Sequence, residues 1–257
     1  MKFYKYQGTG NDFIVVDDRE STFSLNKNQI HTLCDRRFGI GADGLMLLQN
    51  TPGYDFRMVY YNSDGTEGTM CGNGGRCLVR FAHDLGIIQN STEFIAVDGP
   101  HQAEVFPDRI SLKMQDVDSI ENLDNAHYTN TGSPHYVRFC PNLKEFNVFE
   151  NGAKIRYSEE FKNQNGTNVN FVEEIGENEL FVRTYERGVE DETYSCGTGV
   201  TAAAIIAHHS KNIKSPISIK TIGGNLQVSF EKNNENMYIN IYLIGPAIKV
   251  YEGFIKL

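Results

Sequence analysis

The stretch "TMCGNGGRC" (residues 69–77) sets a thiol directly before a run of residues with almost no side chains, and "YSCGTGVTAAA" (194–204) does the same around Cys196. Cys71 and Cys196 are separated by 196 − 71 = 125 positions, and outward from this pair the chain matches itself. The same shift lays "RMVYYNSDG" (57–65) near "VRTYERGVE" (182–190) and "GADGLM" (41–46) near "GTNVNF" (166–171). An offset of 124 joins "GPHQAEVF" (99–106) to "GGNLQVSF" (223–230), and one of 122 joins "TGNDFIVV" (9–16) to "TGSPHYVR" (131–138). Matches that keep their order along both halves mark a duplicated unit.

Each half reads as short alternating strands around one glycine-led helix. "KFYKYQ", "DFIVVD", "YDFRMVYYN", "EFIAV" and "RISLKM" are the strands of the first half. Its helix is expected from about Asn73 to Leu85, with Leu78, Phe81 and Leu85 on one face and Gly86 as the stop. In the second half "GVTAAAIIAHH" is small or apolar nearly all round, as a helix enclosed by a sheet is. The closing "GPAIKVYEGFIKL" is expected to return to the first half, because two repeat lengths have been used by then. This gives an N-terminal half of residues 1–117 completed by 248–257, and a C-terminal half of residues 118–247.

Twenty-four Lys and Arg against 33 Asp and Glu leave a net charge of −9, the wrong sign for neutralising phosphates, so no nucleic-acid partner is expected. No basic n-region followed by an apolar run opens the chain, and no stretch approaches the roughly 18 apolar residues of a membrane span. A soluble cytoplasmic protein with no membrane partner is expected. The five cysteines (34, 71, 77, 140, 196) form an odd set without CxxC spacing, which fits free thiols in a reducing compartment and no metal.

A helix start leaves about four backbone N–H groups unpaired and carries roughly half a positive charge. Glycines there let an anion approach the bare amides, and a substrate carboxylate would put its neighbouring carbon in front of the cysteine. The same field favours thiolate over thiol. One such unit suggests a nucleophile or a base. Two, related by an internal pseudo-dyad, suggest a molecule held between opposed helix ends with a sulfur on each face, a geometry that inverts a stereocentre without a cofactor. Consistent with this, the chain has neither a P-loop nor a dinucleotide fingerprint between strand and helix. Cys34, Cys77 and Cys140 lack the glycine context and read as small buried hydrophobes.

With both motifs in place the chain resembles the diaminopimelate epimerase family along essentially its whole length. The resemblance rests on "GTGNDF" (8–13), "GIGADGL" (39–45), "NSDGTEGTMCGNGGRC" (62–77), "GSPHYV" (132–137), "NVNF" (168–171), "YERG" (185–188) and "SCGTGV" (195–200), in family order. It implies an isomerase of lysine and peptidoglycan precursor biosynthesis. Such an enzyme interconverts LL- and meso-diaminopimelate by a two-base mechanism with two cysteines and no cofactor, and works as a homodimer. It also implies an α/β fold of the α+β type: two pseudo-symmetric halves, each a curved mixed sheet wrapped around a central helix, with the active site in the cleft between them.

Carried over residue by residue, Cys71 and Cys196 are the two acid/base groups, and Gly72, Asn73, Gly197 and Thr198 give backbone amides to the reacting carboxylate. Asn11, Asn62, Asn168, Glu186 and Arg187 recognise the substrate, chiefly its distal end. His135 supports one thiol and Glu186 the other. Two departures are visible: Ser133 stands where many members have asparagine, and Gly44 where some have glutamine.

Read without the family, Glu186-Arg187 is either a pair for a distal ammonium and carboxylate or a solvated turn before Gly188. Asn11, Asn62 and Asn168 read as turn caps, and His135 as a strand-end histidine. His208 and His209, far down the helix, read as structural or surface residues. Three rival functions stand beside the epimerase. A proline-type racemase would have no use for Arg187 and Glu186, a thiol redox switch would favour a close CxxC pair, and a non-catalytic amino-acid-binding protein would not need two thiols.

Overall fold

The alternating start of the chain folds into a hairpin, β1 (Lys2–Gly8) and β2 (Asn11–Asp17), in the computed structural model, which describes residues 1–162 and 165–256. Thr9 and Gly10 make the two-residue turn with φ of 49° and 85°, the double positive φ that matches the right-handed twist of a hairpin. Helix α1 (Lys27–Cys34) follows, opened by a reciprocal capping box between Asn26 and Gln29. Next come β3 (Gly44–Gln49), β4 (Phe56–Asn62), the short β5 (Glu67–Gly68), the helix α2 (Gly72–Asp84), β6 (Ser91–Ala96), β7 (Gly99–Val105) and β8 (Ile110–Lys113). Helix α2 starts one residue earlier than the sequence suggests, and Gly86 ends it with φ 72°.

The next repeat is β9 (Ile120–Leu123), β10 (Ala126–Asn130), β11 (Pro134–Phe139), α3 (Val148–Arg156), α4 (Glu159–Lys162), β12 (Asn168–Gly176), β13 (Glu179–Glu186), β14 (Asp191–Thr193), α5 (Gly197–Lys211), β15 (Ile217–Thr221), β16 (Gly224–Lys232) and β17 (Tyr238–Gly245). The final strand, β18 (Ile248–Phe254), pairs antiparallel with β1. By its contacts the chain divides into unit 1, Met1–Leu112 with Gly245–Leu257, and unit 2, Lys113–Ile244.

Unit 1 is a mixed sheet in which β18, β1, β2, β3, β4, β6, β7 and β8 follow one another, with β5 also on β4. Helix α2 packs on β18, β1, β2, β3 and β7, strands from both sides of that order, so the sheet curls around it. Leu78 and Phe81 are fully buried as the helical spacing requires, each contributing roughly 1.5–3 kcal/mol of apolar burial. On the other face α1 covers Ile14, Val16, Leu45 and Leu47. Strands covered on both faces explain why "FIVV" and "LMLL" read as unbroken apolar runs.

Unit 2 repeats the pairings in the same order and sense: β9, β10, β11, β12, β13, β15, β16 and β17, with β14 on β13. The parallel pairs are β2 with β3 and β4 with β6 in unit 1, and β11 with β12 and β13 with β15 in unit 2. Helix α5 packs on β10, β11, β12, β13, β15 and β16, and α3 covers the other face over Val169, Phe171 and Tyr185.

The strand registers correct the sequence alignment by one residue in two places. Phe13 lies beside Gly44 as His135 lies beside Asn168, and Tyr60 faces Gly68 as Thr184 faces Thr193. The offset is therefore 122 from β2 to β11 and 124 from β3 to β12 and from β4 to β13, where the sequence suggested 125 for the latter two. Ala96 faces Gly99 as Thr221 faces Gly224, so the next hairpin runs at 125 rather than 124. Loops absorb the differences, and a slip of one inside a strand would turn every side chain to the wrong face.

Candidate active site

Cys71 is the residue before α2, extended at φ −96° and ψ 129°. Helical hydrogen bonding begins with Gly75 N–H donating to the Cys71 carbonyl at 2.7 Å. The amides of Gly72, Asn73 and Gly74 precede that bond and lie outside the helix's own ladder, at its positive end. The thiol donates to Asn11 Oδ1 at 3.7 Å, and Asn73 Nδ2 donates to the same oxygen at 3.5 Å. Asn11 is oriented by its other end, because Nδ2 donates to Asp43 Oδ2 at 2.7 Å and a carboxylate can only accept. Arg36 bridges Asp43 and Asp12 behind it. Burial would raise the Asp12 carboxyl, but Arg36 and Lys5 override that and hold it at about 2.

Beneath this mouth Arg76 is fully buried. Its guanidinium donates to Asn73 Oδ1 at 3.0 Å, the Gly72 carbonyl at 3.2 Å, Thr9 Oγ1 at 3.4 Å and the Pro246 carbonyl at 3.5 Å. No ion pair to a carboxylate is present among the described residues. Burial lowers its pKa to about 10, against the attraction of Cys77 and Cys71. Gly8 makes room for it, since an added Cβ there would lie 3.2 Å from Arg76 Nη2.

Asn62 ends β4 opposite Gly44 and donates to Thr66 Oγ1 at 3.4 Å, within its own turn. Gly44 cannot carry a side chain: an added Cβ would lie 2.6 Å from both the Tyr60 ring and the Tyr61 carbonyl.

In unit 2 Cys196 holds the same place before α5, at φ −110° and ψ 114°, with Val200 N–H donating to its carbonyl at 2.9 Å. Its sulfur lies 3.5 Å from Thr198 Oγ1, Thr198 Oγ1 lies 3.2 Å from Ser133 Oγ, and Ser133 Oγ lies 2.9 Å from His135 Nε2. His135 is fully buried, and burial, with the charge of Arg187 adding, pulls its pKa down to about 3. Its other nitrogen lies 3.0 Å from Asn170 Nδ2. The hydrogen-bond partner of the His135 ring on the thiol side is thus a serine, and any support it gives Cys196 passes through two hydroxyls.

Asn168 is occupied at both ends of its amide. Nδ2 donates to the Pro134 carbonyl at 2.9 Å and to Ser133 Oγ at 3.2 Å, while Oδ1 accepts from Arg187 N–H at 2.9 Å. Glu186 ends β13 and accepts from Thr193 Oγ1 at 2.9 Å. Arg187, partly buried, makes no ion pair among the described residues.

Unit 1 therefore gathers Cys71, Gly72, Asn73 and Asn11, and leaves Asn62 bonded into its own turn. Unit 2 gathers Cys196, Gly197, Thr198 and Asn168, ties His135 in through Ser133, and sets Glu186 and Arg187 at the end of β13. Reading the sequence missed Asp43, Arg76 and Asn170. An arginine one turn into the glycine-led start of the helix, three residues after Asn73, was a signal for Arg76; Asp43, in the loop before β3, and Asn170, within β12, gave none.

Fold and site together define a duplicated α+β protein with a thiol at the mouth of the central helix of each repeat. The sequence profile of the diaminopimelate epimerase family matches residues 3–117 and 127–250. The chain is 55% identical to the diaminopimelate epimerase of Flavobacterium psychrophilum over 98% of this chain and 99% of that one, and 43% identical to that of Chlorobaculum tepidum over 97% and 99%. Among solved structures, a Bacillus anthracis phenazine biosynthesis protein of the PhzF family shares the fold, with a TM-score of 0.80 at 14% identity over 100% of this chain and 99% of that one. The chain belongs to the diaminopimelate epimerase family, and it is an isomerase.

Proposed function

We propose that this chain interconverts LL- and meso-diaminopimelate by passing protons between substrate and two thiols, Cys71 and Cys196, that address opposite faces of one α-carbon. A thiolate takes the α-hydrogen as a proton, and the C–H electron pair moves into the neighbouring carboxylate. The thiol of the other cysteine gives its proton to the opposite face, leaving the inverted centre and an exchanged thiol/thiolate pair. Amides of Gly72, Asn73, Gly197 and Thr198 stabilise the charge that develops on the carboxylate, each well-placed donor contributing roughly 3 kcal/mol.

At the distal end Arg187 takes the carboxylate and Glu186 the ammonium, aided by Asn11 and Asn62. Asn168 serves by holding the Arg187 backbone. The enzyme works without cofactor or metal, as a cytoplasmic homodimer with no nucleic-acid or membrane partner. No helix among the described residues is long and apolar enough to cross a membrane.

The observation that supports this reading best is the duplication itself: each unit places a cysteine before a glycine-started helix whose first amides lie outside its ladder. A redox pair or a binding protein gives no reason for amide cradles behind both thiols, and a proline-type racemase gives none for Arg187.

Proton NMR with LL-diaminopimelate in deuterium oxide tests the proposal. Product formed early should carry deuterium at the inverted carbon while unreacted substrate remains largely protiated. Retention of the original proton in the product would mean a single shuttling base, and no isomerisation with thiols reduced would overturn the function.

A further inference from the structure

The buried polar pair of unit 2, His135 and Asn170, has an apolar counterpart in unit 1. By the strand registers Phe13 occupies the place of His135 and Met46 that of Asn170. The contacts to the central helix correspond as well. An added Cβ on Gly74 of α2 would lie 3.1 Å from Met46 Sδ and 3.5 Å from the Phe13 ring, and one on Gly199 of α5, the equivalent glycine, would overlap Asn170 Oδ1. The scaffold thus closes with phenylalanine and methionine at these positions. A histidine and an asparagine, both fully buried, are not what the fold requires.

The direction of each hydrogen bond in unit 2 follows from groups that have only one role. The Tyr136 carbonyl can only accept, which fixes the end of the Asn170 amide facing it as Nδ2 and leaves Oδ1 to accept from Thr184 Oγ1 at 2.9 Å. Asn170 Nδ2 donates to the Tyr136 carbonyl at 3.0 Å and to His135 Nδ1 at 3.0 Å. With Nδ1 accepting, a neutral His135 carries its proton on Nε2 and donates to Ser133 Oγ. Ser133 Oγ also accepts from Asn168 Nδ2 at 3.2 Å, so its own hydrogen goes to Thr198 Oγ1. Thr198 then directs its hydroxyl hydrogen at Cys196 Sγ.

We propose that Ser133 and Thr198 are positioning residues that carry a hydrogen-bond polarity, set by Asn170 and His135, to Cys196 and so hold a donor on its thiolate. Ser133 thereby serves the thiol through Thr198. The proposal deepens the epimerase reading and rests on it for its purpose, though the chain of bonds stands by itself. Unit 1 differs at the same places: Asn11, the counterpart of Ser133, presents an accepting oxygen directly to Cys71.

Among the charged and titratable groups on the elements packed against α5 are Tyr128 on β10, Glu186 on β13 and the adjacent Arg187, whose charge acts on both His135 and Tyr128, while His127 of β10 lies edge-on to His209. Glu174 of β12 meets Lys211, and Lys232 of β16 acts on His209, both at the far end of the helix. Lys220 of β15 is exposed.

The test is the pH dependence of iodoacetamide alkylation, resolved by peptide mass spectrometry into Cys196 and Cys71, on Ser133→Ala, Thr198→Val, Thr198→Ser and the Ser133→Ala/Thr198→Val double variant. Loss of one net hydrogen bond to a charged group should lower the Cys196 thiolate fraction about three- to tenfold at a given pH, moving its midpoint up by about half to one pH unit in Ser133→Ala and Thr198→Val. The double variant should move no further than Thr198→Val, Thr198→Ser should restore the wild-type midpoint, and Cys71 should stay unmoved throughout. Additive shifts, equal shifts at both cysteines, or no shift would overturn the proposal.

Nitrogen-15 NMR of the wild-type imidazoles supplies a reading that needs no variant. His135 should be the neutral Nε2–H tautomer at pH 6, and a charged ring or an Nδ1–H tautomer would break the chain at its origin. None of these readouts uses turnover. A wild-type protein with the expected alkylation and tautomer but no activity on diaminopimelate would sink the epimerase reading and leave the relay standing.

Discussion

Arg187 stands partly buried at the end of β13, without an ion pair among the described residues, and is the group proposed to take the distal carboxylate of the substrate. Removing it leaves the distal carboxylate of diaminopimelate without its charge-assisted partner, a loss that typically costs about 2–5 kcal/mol. Arg187→Ala should therefore lower kcat/KM for diaminopimelate by at least about thirtyfold. The backbone bond from Arg187 N–H to Asn168 persists in this variant, so the fold should not change. Arg187→Lys keeps the charge but loses the planar fork and should recover only part of the activity. Steady-state kinetics on all three proteins, with circular dichroism to confirm folding, decides it; near wild-type kinetics for Arg187→Ala would leave this substrate without its main residue-level support.

The two central helices share a frame but not a lining, and glycine substitutions expose the difference. Alanine is intrinsically better than glycine inside a helix by about 1 kcal/mol. At Gly74 the new methyl meets the flexible end of Met46 at 3.1 Å, so the two effects nearly balance and Gly74→Ala should stay within about 1 kcal/mol of wild type. At Gly199 the methyl overlaps the amide that orients His135, an overlap typically costing about 1–3 kcal/mol and here adding the loss of buried hydrogen bonds. Gly199→Ala should be clearly destabilised in urea unfolding, and equal midpoints for the two variants would show that Asn170 moves aside freely.

For the whole molecule, His135 ties stability to pH. Burial lowers its folded pKa to about 3, below the ordinary value of about 6.5. The unfolded chain therefore binds a proton on falling through pH 6.5 that the folded chain refuses until near pH 3. The stability this histidine contributes is complete above pH 6.5 and is lost as the pH falls, at up to about 1.4 kcal/mol per pH unit. His135→Phe, which puts into unit 2 the residue that unit 1 holds at Phe13, should flatten the dependence of unfolding free energy on pH by about that slope between pH 6 and 4. Parallel curves for the two proteins would mean that His135 titrates freely in the folded state.

The duplication, both thiols at helix mouths, the strands and the identity of the family were legible in the sequence. They depend on local patterns: alternation, glycine before a helix, and motifs preserved in order. Residues that act by contact across the sheet were not legible. Asn170, one strand from His135 but 35 positions along the chain, reads as an ordinary strand residue. Asp43 becomes the orienter of Asn11 only because β2 and β3 run parallel. The one-residue shifts of offset escaped for the same reason, since loops can gain or lose a residue without leaving a mark in the pattern while paired strands cannot. The sequence by itself determined the family and the placing of a cysteine at the mouth of each central helix. Tertiary structure alone decided the direction in which each hydrogen bond around them points, because that direction depends on single-role donors and acceptors brought together from distant strands.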